Sequence, residues 1–248
     1  MIIDSHTHID LLETWGWMDP PEVLLPLLDN AGISRAVVMT YRDAVSPEDS
    51  AIAYVLDAVN KYPDRLIGYA RINPNAEKAI QTLDYAMHFN AFMGLKLHTV
   101  TYAGFPFTEN TVKLINRATG YKAPVLFHSG DEPLALPQEI IEAARLCPYA
   151  TIIMGHMGGY FHVEAAIRLA RDFPNVLLDT SAMPYPHMIR RAVEVLGAER
   201  VLFASDGPGC LPALEVEKVR LANLSPKDEE LVFSGNFLRL MKEVRHEL

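Results

Sequence analysis

The chain has 248 residues, half of them apolar and 21% charged, the balance of a globular protein large enough to bury one big core. A formal net charge of −9, with no cluster of Lys and Arg, argues against a protein that holds nucleic acid by neutralising phosphates. Cys147 and Cys210 stand in no metal-finger or disulfide spacing, no apolar run is long enough to span a bilayer, and the N-terminus lacks a basic-then-apolar leader. The expectation is a cytoplasmic protein with no membrane and no nucleic-acid partner, acting on a small molecule.

Short apolar, often β-branched runs alternate along the chain with longer amphipathic segments, the pattern of repeated βα units. The first run, residues 1–8, delivers His6 and His8 at i and i+2, on one face of a strand. Taken alone the pair is weak, because such histidines are more often hydrogen-bonded than metal-bound. A second strand is expected over 36–41, and then a helix running to Tyr62 with Ser46 as N-cap and Pro47 at the first helical position. The third strand, 66–72, carries Arg71 near its end. A helix over 76–89 follows, with His88 in its polar stripe. In the fourth strand, 93–99, Lys96 and His98 share one face while Leu95 and Leu97 share the other. The fifth, 125–129, ends in His128 and Ser129. The sixth, 151–156, ends in His156. The seventh spans 176–181, and the eighth, 201–205, runs into Asp206. Helices stop before prolines at Tyr62-Pro63 and Phe173-Pro174. No linker or low-complexity segment interrupts the series, so residues 1–248 form one domain. Eight such units fit a (β/α)8 TIM barrel; a doubly wound open sheet is the alternative.

In a barrel, chemistry sits where strands end and loops begin. Each polar residue there has an ordinary explanation: a hydrogen-bonded histidine, an Asp-Gly turn at Asp206-Gly207, a lysine whose ammonium reaches water. Those explanations predict scatter, whereas His6, His8, Lys96, His98, His128, His156 and Asp206 crowd one end of the inferred barrel. Imidazole and carboxylate donors suit zinc, iron(II), manganese or nickel, with zinc as the default. Asp206 can both ligate and accept the proton of the attacking water, while a histidine outside the ligand set can hold or polarise the developing oxyanion. In the loops, Trp15, Trp17, Met18, Phe105, Phe107, Met183, Tyr185 and His187 either line an apolar pocket or pack the loops or a subunit contact. Arg71 has the fork to bind a carboxylate, although a structural salt bridge is the simpler expectation.

The segments Asp4-Ser5-His6-Thr7-His8, Gly94-Leu95-Lys96-Leu97-His98, His128, Gly155-His156-Met157-Gly158-Gly159, Ser205-Asp206 and Ser234-Gly235-Asn236-Phe237-Leu238-Arg239-Leu240 together resemble the amidohydrolase superfamily. The resemblance is greatest to its amidohydrolase-related branch, which includes aminocarboxymuconate-semialdehyde decarboxylase and many small hydrolases. It implies one divalent metal held by His6, His8, His128 and Asp206, with His156 as acid/base. In binuclear members of the superfamily, His128 and His156 would bind a second metal bridged by a carboxylated lysine on strand four. Lys96 lies on that strand, but the Lys-Leu-His form also occurs where the amine stays free. One metal is therefore expected, with Lys96 and His98 facing substrate and a second metal as the alternative.

The leading expectation is a hydrolase that uses metal-activated water on an amide, ester or lactone carbonyl. The alternative is a non-oxidative decarboxylase of a small carboxylic acid. The loops offer such an acid only the isolated Arg42 and Arg71, unless a neighbouring subunit in a homo-oligomer supplies more. A nuclease of the TatD type would carry a glutamate where this chain has Lys96. A barrel that only binds ligand would not need all of His6, His8, His128, His156 and Asp206.

Overall fold

The computed structural model describes residues 1–13 and 16–247; Thr14, Leu248 and Trp15, one of the loop aromatics named above, lie outside the described residues. Eight parallel strands follow one another in a single sheet: β1 (Ile3–His8), β2 (Arg35–Met39), β3 (Leu66–Arg71), β4 (Phe92–Leu97), β5 (Val125–Phe127), β6 (Ile152–Met154), β7 (Val176–Asp179) and β8 (Val201–Leu202). The sheet returns on itself. The Ser5 amide donates to the Phe203 carbonyl at 3.1 Å, the Asp206 amide to His6 at 2.8 Å and the His8 amide to Gly207 at 2.7 Å. The outer layer is formed by α1 (Pro21–Asn30), α2 (Ser50–Lys61), α3 (Ala79–Met87), α4 (Glu109–Gly120), α5 (Pro137–Leu146), α6 (Gly159–Arg171), α7 (Pro186–Leu196) and α8 (Pro212–Leu221). The chain closes with α9 (Pro226–Glu230), a π turn and α10 (Asn236–Met241). The fold is the expected TIM barrel. None of the described helices is long and apolar enough to cross a membrane.

Barrel strands are buried on both faces, which is why they read as nearly continuous apolar runs. One set of side chains, including Val38, Ala70, Leu95, Val125, Ile152 and Val201, joins the large core cluster shared with the helices. The alternate set, including Val37, Ile67, Tyr69, Leu126, Ile153, Leu177 and Leu202, fills the barrel, and Phe237 and Leu240 of α10 belong to this inner cluster. The alternation continues upward into polar residues: Ile67 and Tyr69 lead to Arg71, Leu126 to His128, and Leu177 to Asp179. The period that packs the interior thus also aims the functional side chains inward at the strand ends. Gly94 makes room in this interior, since a Cβ there would lie 2.5 Å from Cζ of Tyr69.

Several details differ from the sequence reading, and the strands expected over 125–129, 151–156, 176–181 and 201–205 stop at Phe127, Met154, Asp179 and Leu202, so that the polar residues follow the strands. Helix α2 starts at Ser50, with Asp49 and not Ser46 as its cap. One Asp49 oxygen accepts the Ala51 amide at 2.9 Å and the other the Val45 amide at 3.1 Å, so a carboxylate satisfies two donors where a hydroxyl satisfies one. The helix expected over 76–89 covers only Ala79–Met87. A short antiparallel hairpin, Asp10–Leu12 against Trp17–Asp19, follows β1; its strands are too short to give a periodic signal.

Candidate metal centre

His6 is fully buried at the top of β1. Its Nδ1 lies 3.0 Å from Oδ2 of Asp179, its Nε2 lies 2.8 Å from Nζ of Lys96, and Oδ1 of Asp206 is 3.6 Å from the same Nε2. His8, two residues on, brings its Nε2 to 3.2 Å from Oδ1 of Asp206. Tyr41 stacks on the His8 ring, with centroids 4.7 Å apart and planes at 13°, and the Trp17 ring lies tilted against Tyr41, with centroids 4.7 Å apart. The Tyr41 hydroxyl donates to Asp19 at 3.1 Å, which ties the hairpin to this stack.

Across the barrel, His128 follows β5 and His156 follows β6, with Nδ1 of the first 3.1 Å from Nε2 of the second. The other nitrogen of His128, Nε2, is bonded to Glu132. His98 stacks flat on His128, with centroids 4.0 Å apart. Residues 156–159 all have positive φ, 55° and 49° at His156 and Met157 and 85° at both glycines. Asp206 has φ of 61°. Such conformations in non-glycine residues cost about 1–3 kcal/mol each and persist where the surroundings enforce them. Gly155 keeps the approach clear, since a Cβ there would lie 2.6 Å from the Phe127 carbonyl oxygen.

Burial is the largest influence on the histidines. It holds His6, His8 and His98 below the ordinary imidazole range and His128 at about 4, so these rings are neutral at pH 7. Lys96 is lowered to about 7 by burial and by the neighbouring Arg71 charge. For Asp206 burial acts upward but is outweighed by the His8 hydrogen bond and the surrounding imidazoles, which hold its carboxyl well below the usual range. Neutral imidazoles around an ionised carboxylate are the donor chemistry of a divalent cation site.

All seven residues singled out by sequence lie in one connected cluster. Within it, ligand atoms of His6, His156 and Asp206 lie within 4.8 Å of one another, a group that could hold a metal ion. That group contains His156, expected as the acid/base, whereas His8 and His128 border it through Asp206 and His156. Sequence reasoning passed over Asp179, Ser181 and Glu132. The signal for the first two was present, since Asp179 and Ser181 continue the inward alternation from Leu177. Glu132 comes from the loop after His128 and had no periodic signal.

Arg71 makes the simpler interaction, a buried pair with Asp43 at 2.7 Å, and its terminal nitrogens reach Thr40 and Thr101 only at 3.4 Å. Among the loop aromatics, Trp17 reaches the site through Tyr41, whereas Phe105 stacks on Phe107 and Tyr185 contacts His187.

Residues 3–241 match the protein-family model described as Amidohydrolase. No curated protein matches the chain. Among solved structures, 5-carboxyvanillate decarboxylase LigW from Sphingomonas paucimobilis is 16% identical, with a TM-score of 0.75 over 97% of this chain and 98% of that one. Dihydroxybenzoic acid decarboxylase from Polaromonas sp. JS666, with bound manganese and the inhibitor 2-nitroresorcinol, is 18% identical, with a TM-score of 0.75 over 97% and 96%. The uncharacterized TIM-barrel protein Bb4693 from Bordetella bronchiseptica is 17% identical, with a TM-score of 0.79 over 98% of both chains. At these identities the likeness shows a shared fold.

Proposed function

Because the chain belongs to the amidohydrolase family, we propose that it is a metal-dependent enzyme that decarboxylates a small carboxylic acid without oxidation. The observation that carries this reading is the buried amine of Lys96, 2.8 Å from Nε2 of His6, beside a cluster of neutral imidazoles and one ionised carboxylate. That arrangement suits a substrate carboxylate at a cation. Two of the similar solved structures are decarboxylases, and one of these holds manganese. The hydrolase expected from sequence is the second reading, favoured by the family description.

The residues fit a divalent cation. His128 gives its Nε2 to Glu132, which leaves Nδ1 facing Nε2 of His156 at 3.1 Å. Neutral imidazoles with a free ring nitrogen beside an ionised carboxylate are the donor set that a divalent cation takes. We assign the ion to His6, His8, His128 and Asp206, with His156 free to carry a proton; zinc follows from the donor types and manganese from the structural relative. A bound cation would supply Lewis-acid stabilisation of negative charge on substrate oxygens.

The chain's own residues do the rest. Lys96 in its protonated form neutralises the carboxylate, and His98, stacked on His128, forms the adjoining wall. As the bond from carbon to the carboxyl group breaks, carbon dioxide leaves and the electron pair stays on carbon. His156 passes a proton from water to that carbon.

The test is to incubate zinc- and manganese-loaded protein with 2,6-dihydroxybenzoate, 5-carboxyvanillate and a panel of lactones and esters, in D2O and separately in 18O-labelled water. Carbon dioxide release with one deuterium in the organic product is expected. Incorporation of 18O into an organic product, without carbon dioxide, would install the hydrolase instead. Asp206→Asn should abolish either activity while leaving the circular dichroism unchanged. Metal analysis should find one equivalent per chain; two equivalents with a carboxylated Lys96 would replace the single-ion assignment.

A further inference from the structure

Asp179 is fully buried at the end of β7, and no Lys or Arg forms an ion pair with it among the described residues. Its carboxylate is instead surrounded by donors from three strand ends. Oδ2 lies 3.0 Å from Nδ1 of His6. Oδ1 accepts the His156 amide at 2.9 Å, the Ser181 amide at 3.1 Å and the Ser181 hydroxyl at 2.6 Å. The same hydroxyl oxygen lies 2.9 Å from Nδ1 of His156.

The proton positions follow from valence. Nε2 of His6 faces the Lys96 amine, a donor, at 2.8 Å, so Nε2 carries the lone pair and the hydrogen between Asp179 and His6 sits on Nδ1 of His6. Ser181 has one hydrogen, and the 2.6 Å contact gives it to Asp179. Its oxygen is then an acceptor toward His156, whose Nδ1 must hold the hydrogen. The Nε2 lone pair of His156 is thereby also turned inward. From this geometry we infer that Asp179 is a positioning residue that sets the ring tautomers of two histidines on different strands, one directly and one through Ser181.

This inference rests on the metal reading only for its consequence, because the tautomers are a property of the metal-free protein. Outer partners of this kind are worth 10- to 100-fold in metal affinity. An Asn at 179 keeps the shape but replaces one acceptor oxygen by an NH2 donor, which opposes either the His6 Nδ1–H or the donors at Oδ1. Ser181→Ala breaks the relay to His156 and leaves the bond to His6.

The test reads both levels. Long-range 1H–15N correlation spectra of the metal-free full chain should show Nδ1–H tautomers for His6 and His156. Asp179→Asn should shift His6 toward the Nε2–H form and weaken Mn2+ binding, measured by calorimetry, by 10- to 100-fold. In Ser181→Ala, His156 should lose its single tautomer while His6 keeps it, a result available even if the Asn variant fails to fold. Nε2–H tautomers in the wild type, or Mn2+ affinity unchanged in a folded Asp179→Asn, would overturn the proposal. If the wild type binds neither Mn2+ nor Zn2+, the metal reading fails, and the spectra still decide the role of Asp179.

Discussion

Asp4 shows what burial does to a single carboxyl in this barrel. It is fully buried; Oδ1 accepts the Ser205 amide at 2.9 Å and the His6 amide at 3.2 Å, while Oδ2 has no partner. Burial pushes the group up to about 7 from an ordinary 3.8, against the lowering effect of those hydrogen bonds. Between those two values the folded protein keeps a proton that the unfolded chain has lost. This contribution to stability is therefore complete below pH 3.8 and falls as pH rises through about 7. In metal-free protein, melting temperatures from pH 5 to 8 should fall for the wild type relative to Asp4→Asn, which lacks the titration. A gap that stays constant across this range refutes the sign.

At the level of elements, side chains from one βα unit stabilise the next. Asp131, from the loop after β5, accepts the amides of Tyr160 and Phe161 at the start of α6, each at 2.9 Å, and pairs with His162. It serves as the cap that the positive-φ run at 156–159 cannot provide. On α8, Lys218 and Glu215 form a nearly buried ion pair; Lys218 also donates to the Thr180 carbonyl at 2.7 Å, and Glu215 accepts the Ala182 amide at 3.1 Å. The pair therefore holds the loop that carries Ser181. Lys218→Met strands Glu215 without its counter-charge and should cost about 3–5 kcal/mol in denaturant unfolding. Adding Glu215→Leu should recover much of that loss, and a double variant no better than the single one would remove the pair from this account.

For the whole molecule, the barrel interior is completed by the end of the chain. Phe237 is buried among Ile3, Val37, Ile67 and Leu202, which come from strands at both ends of the sequence. Phe237→Ala should cost about 3–5 kcal/mol by urea denaturation. A loss under about 1 kcal/mol would mean that α10 is not a structural plug. Metal binding should stabilise the same global fold. At a free concentration 100 times its Kd, a cation that binds only the folded state adds about 2.7 kcal/mol, a rise of roughly 5–10 °C in Tm for a chain of this size. Manganese should produce that rise in the wild type and not in His6→Ala.

Much of this architecture was legible in the residues. The eight strands were found because barrel strands are short, apolar and buried on both faces, and His6, His8, Lys96, His98, His128, His156 and Asp206 were found because they stand where those runs stop. Alternation with a period of two is local, so the sequence by itself determined the barrel, the end at which chemistry sits and the residue types that crowd there. The cap at Asp49, the pairing of Asp10–Leu12 with Trp17–Asp19 and the bond between Glu132 and His128 depend on competing loop contacts that leave no periodic trace. Asp179 faces inward by the same alternation, but two of its four donors, from His6 and His156, come from strand ends far away in sequence. Only the tertiary structure decided which nitrogen of each histidine turns to the centre, because a tautomer is set by the partner across the barrel and not by neighbours along the chain.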